Sequence, residues 1–189
     1  PFGGMDGILL LKIMLEQQRD DIRLLSNFLI KRIPQVEKFV FAVDPFEHGG
    51  YQKNSTISGL KAAYTHLSEG GALGLFPAGE VSTYYDNVDE TGVTDRHWQR
   101  SMIKCIKNAR VPVVPISVQG ENSRLFHLLG LIHPLLRTAK LPSELLNKKN
   151  QTIRVRIGYP ISVEEQDNDC DIEKFGRFLR VKTYSLGST

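Results

Sequence analysis

The sequence predicts an α/β fold in which a largely parallel central sheet is flanked by helices. Two observations predict it: short apolar segments alternate with helical patterns along the chain, and residues 72–76 are apolar throughout, which suits a strand buried on both faces. Strands joined through helices make right-handed crossovers and therefore pair in parallel. The length of 189 residues is that of one domain, and we expect residues 1–189 to form a single domain with a proper core.

The first predicted element is a core helix at residues 7–15, whose apolar side chains are too dense for a surface helix. This helix would begin just after Asp6 and place the Asp6 carboxylate at its amino terminus. The elements expected next are a strand at 21–25, a brief helix at 27–32 closed by Pro34, and a strand at 39–43.

The middle of the chain is predicted to hold a helix, a strand and a turn in succession. The helix starts at Asn54 or Ser55 and has apolar residues at helical spacing, and the strand at 72–76 follows it directly. Pro77 and Gly79 then break the strand. Ligands of open α/β sheets bind at the carboxyl ends of the strands, so this turn is a candidate site.

Helices and strands are also predicted along the second half of the chain. Residues 83–94 are polar and contain glycine, which predicts a loop, and Asp95 is expected to cap a helix at 96–108. The elements expected after it are a strand of the same sheet at 111–118, a helical segment at 125–136 interrupted at Pro134, an alternating outer strand at 152–159 with its arginines on one face, and a closing helix at 171–184.

Composition and charge exclude several classes of protein. A net charge of +3 is too small to indicate nucleic-acid binding. The basic cluster of Arg137, Lys140, Lys148 and Lys149 fits a solvated helix face, with attraction to an anionic membrane surface or a phosphorylated ligand as the alternative. The two cysteines lack metal-ligand spacing and indicate a reducing, cytoplasmic compartment. No apolar run approaches the ~18 residues that a membrane span requires.

Three sequence blocks carry a resemblance to a known family. They are Pro1-Phe2-Gly3-Gly4-Met5-Asp6-Gly7, Phe76-Pro77-Ala78-Gly79-Glu80-Val81-Ser82 and Val111-Pro112-Val113-Val114-Pro115-Ile116. In this order they resemble the lysophospholipid acyltransferases, most closely a bacterial branch often labelled hemolysin, and the resemblance covers most of the chain. It implies a glycerolipid acyltransferase-like fold and a role in lipid biosynthesis and phospholipid metabolism.

The resemblance implies an O-acyltransferase that moves a fatty acyl group from an acyl thioester to the hydroxyl of a lysolipid. Its catalytic base is a histidine oriented by a carboxylate, and the carboxylate corresponds to Asp6. The histidine is expected immediately upstream of Pro1, so that residues 1–189 would begin just after it. The donor would be acyl-CoA or acyl carrier protein, with no bound cofactor and no metal. A plain helix cap is the alternative interpretation of Asp6.

The third block departs from the family pattern in a way that concerns the acceptor. Ala78, Glu80 and Val81 stand where the family has glutamate, threonine and an arginine that grips phosphate, and valine cannot replace the donors of a guanidinium. We therefore expect an acceptor without a phosphomonoester, such as a lyso-aminolipid, with Glu80 pairing its amine; a capping carboxylate is the alternative for Glu80. Arg96 and Arg100 are the reserve phosphate ligands.

The other predicted substrate-binding residues come from the first and third blocks. The amides of Gly3 and Gly4 could receive an anion near a helix start, although ordinary turn glycines are an equal alternative. The remaining members of the set are Phe76, Pro77, Gly79 and Ser82, and Ser82 is expected to make hydrogen bonds in the turn and not to act as a nucleophile.

Residues 123–137 are unusually apolar between basic ends, which fits either a helix lying on a membrane or a core helix. The first interpretation predicts a peripheral protein on the inner face of the cell membrane. A functional alternative is a catalytically silent protein that binds or perturbs membranes. His127 and His133 are six residues apart and do not share a helix face, which argues against a metal pair.

Overall fold

The computed structural model describes residues 2–26, 34–43, 53–79, 81–87, 90–95, 97–149, 151–168 and 171–187. The chain forms two compact units, one made of Gly7–Gly79 and the other of Pro1–Asp6 together with Glu80–Thr189. We call them the sheet unit and the carboxyl-terminal unit. Each is described by itself below.

A three-stranded parallel sheet is the centre of the sheet unit. Strand β1 (Arg23–Ser26) lies between β2 (Val40–Ala42) and β3 (Leu73–Leu75) and pairs in parallel with both. Helix α1 (Gly4–Glu16) precedes β1, and helix α2 (Lys53–Ser68) connects β2 to β3 as a parallel crossover requires. The predicted α/β fold with parallel strands and flanking helices is therefore confirmed.

Both faces of β1 are buried. Leu24 and Leu25 point to opposite faces, and they are 2% and 4% exposed. Leu24 packs with Leu11 of α1. On the other face Phe41, the register partner of Leu25, meets the His66 ring of α2 edge-on with centroids 5.6 Å apart. Helices thus cover the strand from both sides, which is the condition that selects apolar residues at consecutive positions.

The boundaries of the sheet unit differ from the prediction in small ways. Helix α1 begins at Gly4, so Asp6 lies within its first turn and not just before it. A short 3-10 helix at Glu37–Phe39 takes the first residue of the strand expected at 39–43. The helix expected at 27–32 lies outside the described residues.

The carboxyl-terminal unit contains a hairpin that the sequence analysis missed. Strands β4 (Thr83–Asn87) and β5 (Glu90–Thr94) pair antiparallel, with Asn87 opposite Glu90. The prediction of a loop at 83–94 is therefore wrong. Backbone hydrogen bonds hold a strand pair together, so a polar segment with threonine and tyrosine can form one without the apolar pattern that the prediction required.

The strand expected at 111–118 is shorter than predicted and does not pair in parallel. Strand β6 (Ile116–Gln119) pairs antiparallel with β7 (Arg154–Ile157), and upstream of β6 only an isolated bridge joins Val113 to Ile161. Prolines have no N–H for a ladder, and Pro115 immediately precedes the strand. The outer strand expected at 152–159 is present as the shorter β7.

Two helices of this unit pack against each other. They are α3 (Arg100–Ala109) and α7 (Ile172–Ser185), and a Cβ on Gly176 would lie 3.3 Å from Ile103 Cγ1. The predicted cap of α3 is wrong, because the helix starts at Arg100 and its N-cap is Gln99, not Asp95. The closing helix is confirmed.

The segment expected to be helical and broken at Pro134 forms two helices. They are α4 (Arg124–Ile132) and α5 (Pro134–Asn147), separated by His133 in an extended conformation, as a residue before proline prefers. Helix α5 continues to Asn147, further than the sequence predicted, and the short α6 (Val163–Asp167) was not predicted. In the described part of the chain, no helix has the length and apolarity needed to cross a bilayer.

Candidate active site

Asp6 is buried in the first turn of α1, with 4% of its surface exposed. Its Oδ2 accepts hydrogen bonds from the backbone N–H groups of Phe2 and Gly3, both at 2.9 Å. Gly3 has a φ of +79°, a left-handed conformation that glycine adopts without steric cost. The carboxylate thus holds the preceding chain back against the helix, as the acidic residue of a capping box does. The helix-cap interpretation is correct in its geometry, and the cap also fixes the orientation of the carboxylate.

Phe2 is one of the two residues whose N–H groups bind Asp6, and its ring is enclosed by distant parts of the chain. Gly120, which follows β6, has a φ of +138°, and a Cβ there would lie 2.2 Å from Phe2 Cζ. Lys148 Nζ, just beyond the end of α5, lies 5.0 Å from the ring centroid, a cation–π distance. The carboxyl end of β6 and the end of α5 therefore meet at Phe2 of the first sequence block, which we call the amino-terminal block.

A second buried carboxylate, Glu144 of α5, is 2% exposed. It accepts hydrogen bonds from Ser123 N at 2.8 Å and Ser123 Oγ at 2.6 Å, and Lys140 Nζ lies 3.9 Å away. Ser123 is the N-cap of α4. Burial alone would raise the pKa of Glu144, but the hydrogen bonds from Ser123 and the charges of Lys140 and Lys148 outweigh it and lower the pKa. Glu144 is therefore ionised, and it ties α5 to the start of α4.

The third block begins in the sheet unit with the predicted turn. Gly79 N donates to Phe76 O at 3.0 Å, Pro77 occupies the second position, and Gly79 has a φ of +71°. Ala78 is buried. The Phe76 ring is 38% exposed, and a Cβ on Gly7 would lie 3.9 Å from its Cε2, so the ring lies beside α1 within this unit.

The same block continues in the carboxyl-terminal unit. A Cβ on Gly3 would lie 2.8 Å from Val81 Cγ2 and 3.3 Å from Leu141 Cδ2. An apolar side chain therefore lies beside Gly3 at the position where the resembled family carries its arginine. Ser82 is buried, and its hydroxyl donates to Asp95 Oδ1 at 2.5 Å, so it makes a hydrogen bond, although with a side chain thirteen residues away and not within the turn.

Of the remaining predicted binding residues, the structure describes Gly4 and Arg100. Glu80 and Arg96 lie outside the described residues. Gly4 is the exposed first residue of α1, and Arg100 pairs with Glu173 at 3.8 Å on the surface of the unit. Within the described ranges, no group of three histidine, cysteine, aspartate or glutamate residues is placed to hold a metal ion.

Sequence reasoning missed the polar groups that α5 brings to the amino-terminal block. It interpreted Lys140 and Lys148 as a solvated face, whereas Lys140 pairs with Glu144 and Lys148 is half-buried over Phe2. The four-residue spacing of Lys140 and Glu144 was a usable signal for their pairing within α5, whereas Lys148 lies beyond the end of that helix and had no such signal.

A buried carboxylate held in one orientation at a helix start is the geometry that the resemblance implies for Asp6. A family model described as acyltransferase matches residues 1–189, and the chain belongs to this acyltransferase family. The resemblance identified from the three sequence blocks is thereby confirmed.

Two curated relatives refine the comparison. The chain is similar to the lyso-glycine lipid O-acyltransferase of Phocaeicola vulgatus, with 24% identity over 193 residues that cover 98% of this chain and 65% of the relative. It is also similar to the lyso-glycine lipid O-acyltransferase of Bacteroides thetaiotaomicron, with 22% identity over 192 residues, covering 98% and 67%. The chain thus spans about two thirds of the length of these relatives. No solved structure matches the chain.

Proposed function

We propose that the protein transfers a fatty acyl group from an acyl thioester to the hydroxyl of a lysolipid. Membership of the acyltransferase family over the whole chain supports this, and so do the names of the two relatives. The single observation that carries the proposal is the buried Asp6 carboxylate, fixed by two backbone donors at the position where the resemblance requires it.

In the proposed mechanism, a histidine preceding Pro1 is the general base and Asp6 orients its ring. The histidine takes the proton of the acceptor hydroxyl as the oxygen attacks the thioester carbonyl, and Asp6 stabilises the imidazolium that forms. The tetrahedral intermediate then collapses: the C–S bond breaks, and the thiolate leaves with the proton from the imidazolium. One ester bond forms and one thioester bond breaks, so the step needs no redox partner. The donor in this proposal is acyl-CoA or acyl carrier protein.

The proposed acceptor is a lyso-aminolipid. Both relatives are named for a lyso-glycine lipid. Val81, in the place of the family's phosphate-binding arginine, also argues against a phosphomonoester, because it offers no donor beside Gly3. The pairing of Glu80 with an acceptor amine stays a prediction.

An exposed apolar face on α4 supports peripheral attachment to the inner face of the cell membrane. Leu125, Leu128 and Ile132 lie at helical spacing and are 53%, 56% and 73% exposed. Flotation with phospholipid vesicles tests this part of the proposal. Leu128→Glu should reduce the membrane-bound fraction, whereas Val181→Glu, at a comparably exposed residue of α7, should leave it unchanged. Unchanged partitioning of folded Leu128→Glu would contradict the membrane attachment.

Asp6→Asn separates catalysis from capping. Asparagine keeps an oxygen that can accept from Phe2 N and Gly3 N, so we expect the variant to lose only about 1–2 kcal/mol of stability. It would no longer stabilise an imidazolium, and acyl transfer by the full-length protein to a lyso-glycine lipid should fall by about 10²–10⁴-fold. Full activity of Asp6→Asn would show that the carboxylate is a cap alone. A full-length protein that binds vesicles but transfers no acyl group would favour the catalytically silent alternative.

A further inference from the structure

Valine at position 81 provides no positive charge beside the amino-terminal block, where the resembled family has an arginine. Val81 lies against Gly3 on one side of this block, and Lys148 lies over the neighbouring Phe2 ring. A cation that comes from the end of α5 therefore adjoins the same dipeptide that the absent guanidinium would have approached. All four residues belong to the carboxyl-terminal unit.

Among the residues that the structure describes, Lys148 is the cation beside the amino-terminal block that has no carboxylate in direct contact. Glu144 receives two hydrogen bonds from Ser123 and has Lys140 at 3.9 Å, so Lys140 neutralises it. In the described part of the chain, no carboxylate lies within ion-pair distance of Lys148. Its charge still acts on Glu144 and contributes to the lowered pKa of that carboxyl.

The ammonium of Lys148 is held in place and retains donors for a ligand. Lys148 Nζ donates to the backbone carbonyl oxygen of Glu121 and lies 5.0 Å from the Phe2 centroid, which fixes the side chain at two points. A lysine carries three N–H donors, and one contact of this kind leaves the others for an anion. The side chain is half-buried, so an ion bound here would be partly shielded from water.

We propose that Lys148 binds the anionic head group of the lipid acceptor, in the place of the arginine that the chain lacks at Val81. This inference rests on the proposed acyl transfer and specifies its acceptor. A single ammonium is a point charge that can bind a carboxylate or a phosphate, and the glycine lipid for which the two relatives are named can supply a carboxylate. A glycine head group presents a carboxylate when the lipid is attached to its amine and an ammonium when the lipid is attached to its carboxyl. The cation at Lys148 selects the first form, which has no free amine, so the amine pairing predicted for Glu80 belongs to the alternative form.

The test compares four forms of the full-length protein with two acceptors. The proteins are wild type, Lys148→Met, Lys148→Arg and Lys149→Met, where Lys149 is the exposed neighbour of Lys148. The acceptors are an N-acyl glycine lysolipid with a free carboxylate and its methyl ester, and the readouts are kcat, KM for acceptor and donor, and equilibrium binding of the acceptor without donor. Thermal unfolding checks that each variant is folded.

Loss of a hydrogen bond between charged groups should raise both KM and Kd for the free acid about 10- to 100-fold in Lys148→Met. The methyl ester and the acyl donor should keep their KM values. Lys148→Arg should bind the free acid close to the wild-type level, and Lys149→Met should match wild type with both acceptors.

Three results would overturn the assignment of Lys148. They are an unchanged KM and Kd in Lys148→Met, an equal loss with the acid and the ester, and a change confined to the donor KM, which would indicate that Lys148 contacts the donor. None of these affects the proposed acyl transfer as long as wild type acylates either acceptor. If the wild-type protein acylates neither acceptor and binds neither, both proposals fail.

Discussion

Replacing Glu144 with alanine should destabilise the carboxyl-terminal unit more than any change at an exposed carboxylate. The substitution removes the acceptor of two hydrogen bonds from Ser123 and the partner of Lys140. Removing one member of a buried charged group costs about 3–5 kcal/mol. The Lys140 side chain is 24% exposed and can reach water, so we expect the lower part of this range, about 3–4 kcal/mol.

Glutamine at position 144 measures the charge alone. Its oxygen can accept from Ser123 N while its amide nitrogen donates to Ser123 Oγ, so both contacts persist as weaker neutral hydrogen bonds. We expect Glu144→Gln to cost about 1–2 kcal/mol. In a protein of this size 1 kcal/mol shifts Tm by about 2–4 °C, which gives about 6–16 °C for alanine and about 2–8 °C for glutamine.

Circular dichroism during heating measures both variants against a matched control. Glu165→Gln removes an ion pair with Lys182 at 3.3 Å whose side chains are 41% and 48% exposed, and such a pair contributes about 1 kcal/mol at most. If Glu144→Ala lowers Tm no more than this control does, the hydrogen bonds from Ser123 make no net contribution, and the reasoning from burial is wrong.

Three further predictions concern pH, packing and the third block. Because the pKa of Glu144 is lowered on folding, its stabilisation is present above the ordinary value of 4.5 and is lost as pH falls through the lower folded-state value; denaturant unfolding should show wild type and Glu144→Gln converging in acid and diverging towards neutral pH. Gly120→Ala should lower Tm more than Gly70→Ala, since both have positive φ but only a Cβ at Gly120 meets another side chain, that of Phe2; equal Tm losses would contradict the close packing of Phe2. Ser82→Ala should lower Tm by several degrees yet keep kcat within a few-fold, and loss of all transfer by a folded variant would instead indicate a nucleophile.

The sequence was sufficient for those features that depend on neighbours along the chain. Leu24 and Leu25, adjacent and both apolar, indicate a strand covered on two faces, and Pro77 with Gly79 predicts the turn that ends β3. Pro134 likewise predicts the boundary between α4 and α5. In each case the local steric or hydrophobic preference agrees with the tertiary fold.

Features that depend on distant partners could not be predicted in this way. Aspartate is a residue type typical of helix caps, but the Asp95 carboxylate accepts a hydrogen bond from Ser82, which lies across the β4–β5 hairpin. Lysine is a residue type typical of protein surfaces, and only the tertiary fold brings Phe2 under the Lys148 ammonium. Local preference is the same for a paired and an unpaired charge, so the sequence pattern alone does not distinguish them.

The cap at Asp6 and the catalytic role proposed for it are mutually supportive. A carboxylate that steers an imidazole must keep one orientation, and two backbone N–H groups fix the orientation of Asp6 without depending on a mobile side chain. The same arrangement requires a left-handed residue at Gly3, and the contact with Val81 leaves no room there for a Cβ. Arginine at position 81 would have to leave this contact in order to reach a ligand. The apolar packing that holds the Asp6 segment therefore occupies the place of the family's phosphate clamp, and Lys148 at the end of α5 is the cation that we propose for the acceptor.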